Sequence, residues 1–177
     1  TGFIGKELVK KLSEKGHEIV VLTRNSESAS FHLPVHCKIK TWNPEENALS
    51  PSTLKGVEAV INLAGEGIAD RRWSATRKRQ IMQSRVMSVR RLVDAMKVMD
   101  NKPKVFVSAS AIGFYGDRGE MLLDETISTG NGFLSEVCQK WEAANETPLR
   151  HVIVRIAPVQ NPEKGYLADV FTVMVDN

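Results

Sequence analysis

The first five residues of the chain have the spacing of a phosphate-binding turn. Thr1, Gly2, Phe3, Ile4 and Gly5 lead into an amphipathic run that predicts a helix. Two glycines let a backbone turn tightly and approach a diphosphate, and the N-terminus of the helix that follows attracts anions. These five residues are therefore predicted to bind a dinucleotide cofactor.

A residue that recognises the ribose is expected about 20 residues beyond such a turn, at the end of the next strand. The sequence there reads Thr23, Arg24 and Asn25. An acidic residue would accept hydrogen bonds from the 2'-hydroxyl of NAD, whereas the planar cation of Arg24 suits a 2'-phosphate. Thr23 and Arg24 are therefore predicted to bind NADP, with NAD less favoured; the alternative is that Arg24 is a solvated residue at a strand end.

A second candidate segment follows another apolar run. Asn62, Leu63, Ala64 and Gly65 come directly after it, at the sheet edge where open α/β folds bind ligands. The small Ala64 and Gly65 would let an adenine or a ribose lie against the backbone. The alternative is an ordinary exit from a strand into a loop.

Hydrophobic patterning supplies the elements that must position these residues. Continuous apolar runs predict buried strands, and apolar residues at steps of three and four predict helices. Strands alternate with helices along the chain, which predicts an α/β fold: a Rossmann-type doubly wound parallel sheet in one domain over residues 1–177. The predicted strands are 19–22, 35–42, 56–65, 104–110 and 151–157, the predicted helices are 4–15, 74–99 and 132–146, and 25–30 is predicted to be a loop.

The glycine turn also predicts an incomplete domain. Such a turn normally follows a strand that carries the first glycine of the series, and neither precedes Thr1. That strand is the central one in the usual Rossmann order of 3-2-1-4-5-6. We therefore expect the chain to lack the first strand, with a gap between the strand at 19–22 and the strand at 56–65.

Five separated motifs resemble the short-chain dehydrogenase/reductase superfamily. They are "TGFIG", "NLAGE", "RRW", "SASAIGFYGD" and "FLSEVCQKWEAA", in this order, between Thr1 and about Arg155. The chain is most similar to an atypical branch, the YfcH-like epimerase-family proteins related to NAD-dependent epimerase/dehydratases. The resemblance implies Gly2 and Gly5 at the diphosphate and the "NLAG" segment beside the adenosine half. It also implies that a C-terminal substrate-binding region is lacking.

The resemblance further implies a catalytic serine. In active members a Ser hydrogen-bonds the reacting oxygen, a Tyr exchanges its proton, and a Lys four residues later lowers the pKa of that Tyr. Hydride transfer at a carbonyl has to be matched by proton transfer at its oxygen. Ser110 matches the serine first and Ser108 second; Ser108 is otherwise counted with the cofactor-binding residues.

The Tyr-x-x-x-Lys pair of the superfamily is missing. With Glu142 aligned to the acidic residue that often follows the pair, Leu134 and Cys138 stand in its place, and a shift of one residue gives 133 and 137, a Phe and a Val. A missing general acid typically costs a hundred- to ten-thousand-fold in rate.

Tyr115 is the nearest phenol to the serines in sequence and is the candidate replacement. The alternative is that its ring only packs at the cofactor cleft. A protein that binds NADP as a sensor, without turnover, is the alternative function.

Composition limits the other possibilities. A net charge of +3 with 42% hydrophobic and 25% charged residues indicates an ordinary globular protein and predicts neither nucleic-acid nor membrane partners. Eight cations between Arg71 and Arg91 are read as a solvated helix face.

Cys37 and Cys138 are isolated, which predicts no metal site and a reducing, cytoplasmic compartment, with an organelle-targeting peptide upstream left open. The histidines at 17, 32, 36 and 151 lie far from the serines in sequence, so a Ser-His-Asp hydrolase has no support. The substrate is expected to be an unidentified small molecule.

Overall fold

The computed structural model describes residues 2–33, 37–69 and 71–159. Its contacts divide the chain into two compact units, a first built on Thr1–Asn43 and a second, Pro44–Ala157. Each unit is an assembly of parallel strands and helices, which confirms the predicted α/β class. The single domain over residues 1–177 stays a prediction.

The first unit contains a two-stranded parallel sheet and two helices. Helix α1 spans Phe3–Glu14 and stops before Gly16, whose φ of +78° is a left-handed conformation that glycine adopts without steric cost. Strand β1, Val20–Thr23, pairs in parallel with strand β2, Lys38–Thr41. Both strands lie where the apolar patterning places them.

Two expectations for the first unit are wrong. The segment predicted to be a loop contains a short helix, α2 (Ser26–Ser30), because Asn25 caps it: the Asn25 Oδ1 accepts a hydrogen bond from the Ser28 backbone N–H at 2.8 Å. Strand β1 is half-exposed rather than buried on both faces, with Val20 37% exposed. Among the described residues β1 pairs with β2 alone, so it is an edge strand there.

The second unit is built on a three-stranded parallel sheet. Its strands are β3 (Ala59–Asn62), β4 (Val105–Ala111) and β5 (Arg150–Ile156), in the order β3-β4-β5. In the described part of the chain β1 and β3 belong to different sheets. The gap expected between them stays a prediction.

Two long helices connect these strands. Helix α3 spans Ala75–Lys97 and is capped by Ser74, whose Oγ accepts a hydrogen bond from the Arg77 backbone N–H at 3.2 Å. Helix α4 spans Phe133–Ala143. Short 3-10 helices cover Pro51–Leu54 and Ile112–Tyr115, and the second of these follows β4 directly. No helix among the described residues has the length and apolar character needed to cross a membrane.

The core of the second unit is formed by buried apolar residues of α3, α4 and β4. Apolar residues at steps of three and four predict that one face of α3, formed by Met82, Val86, Val89, Val93 and Met96, is buried. The structure buries the last three of them, while Met82 and Val86 are half-exposed. Phe106, in β4, and Ile81 are completely buried. The face is turned slightly from the predicted one, so Ser84 and Ser88 also point inward and are available to bond polar groups of the site.

Truncation of Met96 tests this packing. Met96→Ala should lower the free energy of unfolding by about 2–5 kcal/mol, because a fully buried side chain leaves a cavity. Val98→Ala is the matched control, since Val98 is 71% exposed and should change stability by less than about 0.5 kcal/mol. Chemical denaturation of the full-length protein measures both, and equal effects would contradict the assigned core.

Candidate active site

Four polar side chains form a continuous chain of hydrogen bonds in the second unit. Ser110, near the end of β4, donates to Glu142 Oε1 at 2.6 Å. Arg155, its register partner on β5, donates to the same carboxylate through Nε and Nη2, both at 2.9 Å. Arg155 Nη1 donates to Tyr115 Oη at 3.0 Å. The carboxylate of Glu142, on α4, and the guanidinium of Arg155 therefore join the two predicted catalytic residues, Ser110 and Tyr115.

Aromatic rings hold the Arg155 guanidinium in place. Its Cζ lies 3.5 Å from the centroid of the Phe114 ring and 5.1 Å from that of Tyr115. A guanidinium over an aromatic face is attracted by the ring quadrupole. The 3-10 helix after β4 thus supplies both the ring surface and the phenol that fix the direction of the Arg155 fork.

The Glu142–Arg155 ion pair is shielded from water. The Arg155 side chain is 19% exposed and that of Glu142 is 12% exposed. Hydrogen bonding to Glu142 raises the pKa of Arg155 above its ordinary value, so the arginine stays charged. Two hydrogen bonds in fork geometry make this a bidentate pair, the strongest form of carboxylate recognition by arginine.

Sequence reasoning missed the roles of Glu142 and Arg155. Glu142 served only to align the chain with the superfamily, and Arg155 only marked where the resemblance ends. A charged residue inside the otherwise apolar "HVIVRIA" strand is the signal that was available, because a buried charge requires a partner. The position of that partner on α4 is set by tertiary packing.

Strand pairing brings a histidine to the serine strand, which the sequence analysis did not expect. Ser108 Oγ and His151 Nε2 are hydrogen-bonded at 3.0 Å, and the His151 ring stacks on Phe106 with centroids 5.3 Å apart. Burial lowers the pKa of His151 below its ordinary value and favours the neutral ring. Ser108 is 0% exposed, so this contact fastens β5 to β4 and offers no nucleophile to a ligand.

The two residues at the usual dyad positions handle no protons here. Leu134 is apolar, and burial raises the pKa of the Cys138 thiol, which keeps it protonated. A Cβ on Gly113 would lie 3.4 Å from Leu134 Cβ and 3.8 Å from Cys138 Sγ. These two side chains are therefore packing partners of the turn after β4. Lys140, the lysine nearest them on α4, is exposed and pairs with Glu136 at 2.6 Å.

Hydrogen bonds made by the Asn62 side chain hold the loop after β3. Asn62 Nδ2 donates to Ser88 Oγ at 3.1 Å, and Asn62 Oδ1 accepts from the Ala64 backbone N–H at 3.1 Å. Leu63 follows half-buried, while Ala64 and Gly65 are exposed. A Cβ on Gly65 would lie 3.1 Å from Arg85 Cζ, so close approach of a guanidinium accounts for this glycine within the fold.

The remaining predicted cofactor residues belong to the first unit. Gly2 caps α1 in an extended conformation without a side-chain hydrogen bond, and Phe3 and Ile4 open the helix. A Cβ on Gly2 or Gly5 would meet no atom within 4 Å in the described structure. Thr1 lies outside the described residues. Arg24 is exposed directly after Thr23, where β1 ends.

The basic residues around the start of α3 are not all solvated, contrary to the expectation. Arg77 is 7% exposed; its Nη1 pairs with Glu66 Oε1 at 2.9 Å and its Nη2 donates to the Gly67 carbonyl at 2.6 Å. Lys78 lies 5.2 Å from the Phe133 ring centroid. These side chains pack α3 against its surroundings. Within the described ranges no cluster of three potential metal-binding side chains occurs.

Parallel strands linked by helices, with small and polar residues where the strands end, define a Rossmann-like α/β protein. A model of the "NAD dependent epimerase/dehydratase family" matches residues 1–156. The chain belongs to that family, which confirms the resemblance seen in its motifs.

Relatives from distant organisms share most of this chain. "Epimerase family protein Mb2239" of Mycobacterium bovis is 34% identical over 171 residues, covering 94% of this chain and 54% of the relative. "Epimerase family protein SDR39U1 homolog, chloroplastic" of Arabidopsis thaliana is 36% identical, covering 95% and 49%. The chain therefore spans about half the length of these relatives.

Solved structures show the same fold. The crystal structure of human epimerase family protein SDR39U1 (isoform 2) with NADPH has a TM-score of 0.79 and 28% identity, covering 97% of this chain and 56% of that one. A crystal structure of UDP-galactose 4-epimerase has a TM-score of 0.77 at 22% identity, covering 99% and 60%, and shows the fold alone.

Removing the charge of Glu142 tests the ion pair. Glu142→Gln should lower the free energy of unfolding by about 3 kcal/mol, because it leaves the Arg155 charge uncompensated in a poorly hydrated place. Glu136→Gln is the control on the same helix; its exposed pair with Lys140 should contribute less than about 1 kcal/mol. Urea denaturation of the full-length protein gives both values. A loss for Glu142→Gln no larger than that of the control would contradict the assigned pair.

Proposed function

We propose that this chain is the NADP(H)-binding part of an epimerase-like oxidoreductase of the short-chain dehydrogenase/reductase superfamily. The proposal rests first on family membership and on the 28% identical human protein whose structure contains NADPH. The ligand acted on is proposed to be a small molecule of unidentified structure. Residues at the start of α1 and at the end of β1 give the cofactor assignment its further support.

The start of α1 fits a diphosphate. No side chain caps this helix among the described residues, so the backbone N–H groups of its first turn face outward without a side-chain acceptor. Gly2 and Gly5 have neither a left-handed φ nor a close neighbour in the described chain. Close approach of a diphosphate to the backbone would explain why both positions are glycine, and the helix dipole would favour the negative charge of the diphosphate.

Arg24 is the residue proposed to select NADP over NAD. It is exposed at the end of β1, and the chain continues directly into α2, which Asn25 caps. A guanidinium at this position can bind a 2'-phosphate through two parallel hydrogen bonds. Thr23 and the exposed Ala64 and Gly65 are proposed as further cofactor contacts. The buried Ser108 is already bonded to His151 and adds no support.

When bound, the cofactor would supply or accept a hydride, and this chain has to supply the proton. Tyr115 Oη accepts a hydrogen bond from Arg155, so its own proton is left to point at another acceptor, such as a carbonyl oxygen. Ser110 directs its proton to Glu142, which leaves its lone pairs to accept a hydrogen bond from a ligand hydroxyl. Both hydroxyls are thus oriented by the Glu142–Arg155 pair.

A second candidate function, an NADP-binding sensor without turnover, is favoured by the burial of these hydroxyls. Ser110 is 2% exposed and Tyr115 is 7% exposed. Each already has a partner within the fold, and the superfamily dyad is replaced by Leu134 and Cys138. A site of this kind can hold a cofactor tightly while proton transfer to a substrate is slow.

Cofactor selection gives a direct test. The full-length protein should bind NADPH more tightly than NADH, and Arg24→Gln should weaken NADPH binding by about tenfold or more, because a charged hydrogen bond is lost. NADH binding should change little. Lys40→Gln, which removes an exposed positive charge from β2, is the matched control. Fluorescence titration measures the affinities of each protein for both cofactors; equal affinities for the two cofactors in the unmodified protein would contradict the role of Arg24.

Turnover separates the enzyme from the sensor. We expect NADPH oxidation with at least one member of a panel of sugar-nucleotide, aldehyde and quinone compounds. Ser110→Ala should reduce that rate by about a hundredfold or more, with NADPH affinity unchanged, since a positioned hydroxyl is removed. Tight NADPH binding with no oxidation of any compound would favour the sensor.

A further inference from the structure

Arg85 is a half-buried cation in the middle of α3 that faces the loop after β3 and α4. Its Cζ lies 5.2 Å from the centroid of the Trp141 ring, and its Nη1 donates to the Ile81 carbonyl at 3.0 Å. On the side of the β3 loop, its Cζ lies 3.1 Å from the position that a Cβ on Gly65 would occupy. The guanidinium is therefore held at a fixed place between two packed elements.

The charge of Arg85 has no carboxylate within ion-pair distance in the described part of the chain. Two other arginines of this unit do have one: Arg77 pairs with Glu66 and Arg155 pairs with Glu142, both at 2.9 Å. An arginine carries five N–H donors, and one hydrogen bond from Arg85 occurs among the described residues. Burial lowers the pKa of Arg85, because removal from water disfavours the charged guanidinium. The more distant charges around it do not offset this effect.

Arg85 and the predicted catalytic Ser110 contact neighbouring residues of α4. Ser110 donates to Glu142, and the Arg85 guanidinium lies over the ring of Trp141, the residue that precedes Glu142 on α4. The guanidinium also lies against Gly65, which is exposed, and Arg85 is itself partly exposed to solvent. An anion bound by Arg85 would therefore lie beside the segment of α4 that also holds Ser110 through Glu142.

We propose that Arg85 binds an anionic group, a carboxylate or a phosphate, of the small molecule that this site acts on or senses. The proposal rests on the function proposed above in taking Ser110 as the centre of the site, and it adds the class of ligand. A fixed guanidinium with N–H donors left to spare recognises such oxyanions through paired hydrogen bonds. Trp141 and Gly65 set the plane in which the fork is presented.

The test uses two simple anions as probes. Oxalate and inorganic phosphate are titrated separately into the full-length protein by calorimetry, with and without saturating NADPH. At least one probe should bind, and Arg85→Gln should weaken that binding by about tenfold or more. Arg90→Gln, on the exposed side of the same helix, is the matched control and should change it by less than about twofold. Preference for oxalate would identify a carboxylate, and preference for phosphate a phosphate group.

Three outcomes would overturn the inference. They are the absence of binding of both probes to the unmodified protein, equal losses for Arg85→Gln and Arg90→Gln, and a tenfold loss of NADPH affinity in Arg85→Gln with probe binding unchanged. If Arg85→Gln does not fold, Arg85→Lys keeps the charge without the fork and should weaken the probe by about threefold or more; unchanged binding would count against the role. Probe binding that depends on Arg85 when NADPH does not bind would support the inference and contradict the proposed cofactor.

Discussion

The ion pair between Glu142 and Arg155 is the contact on which the candidate active site depends. Both charges are largely removed from water, and each is stable there only because the other is present. Glu142 also accepts the Ser110 proton and Arg155 also donates to Tyr115. One pair therefore fixes the positions of β4, β5, α4 and the 3-10 helix after β4, and with them both hydroxyls that chemistry would use.

Three arginines of the second unit differ in how their charges are used. Arg77 and Arg155 are neutralised within the fold, so their charges serve structure and orientation. Arg85 lies against an aromatic ring and a glycine without a paired carboxylate in the described residues, and its charge is the one proposed to bind a ligand. The hydroxyls of Ser110 and Tyr115 are oriented but buried, so a ligand can reach them only if the packing around Ser110 opens or Tyr115 moves. An enzyme requires this entry of the ligand to the hydroxyls, whereas a sensor without turnover does not.

The sequence predicted the elements better than the side-chain partnerships. Apolar runs and helical spacing located β3, β4, β5 and α3, because local patterning and burial agree in those segments. The short helix α2 was missed, since a cap made by Asn25 outweighs a polar composition. The contacts of Glu142, His151 and Arg85 depend on strand register and helix packing between residues distant in sequence, which no local pattern encodes. The replaced dyad, by contrast, was visible directly in the residue types at 134 and 138.

A crystal structure of the full-length protein with NADPH is the most direct measurement of the central proposal, that the start of α1 and Arg24 bind the phosphates of the cofactor and that the Glu142–Arg155 pair is intact. It should place the diphosphate on the backbone N–H groups at the start of α1, the 2'-phosphate within hydrogen-bond distance of Arg24, and the nicotinamide near Ser110, with the ion pair retained. A cofactor that contacts neither Gly2 nor Arg24, or a Glu142–Arg155 pair that separates when NADPH binds, would contradict it.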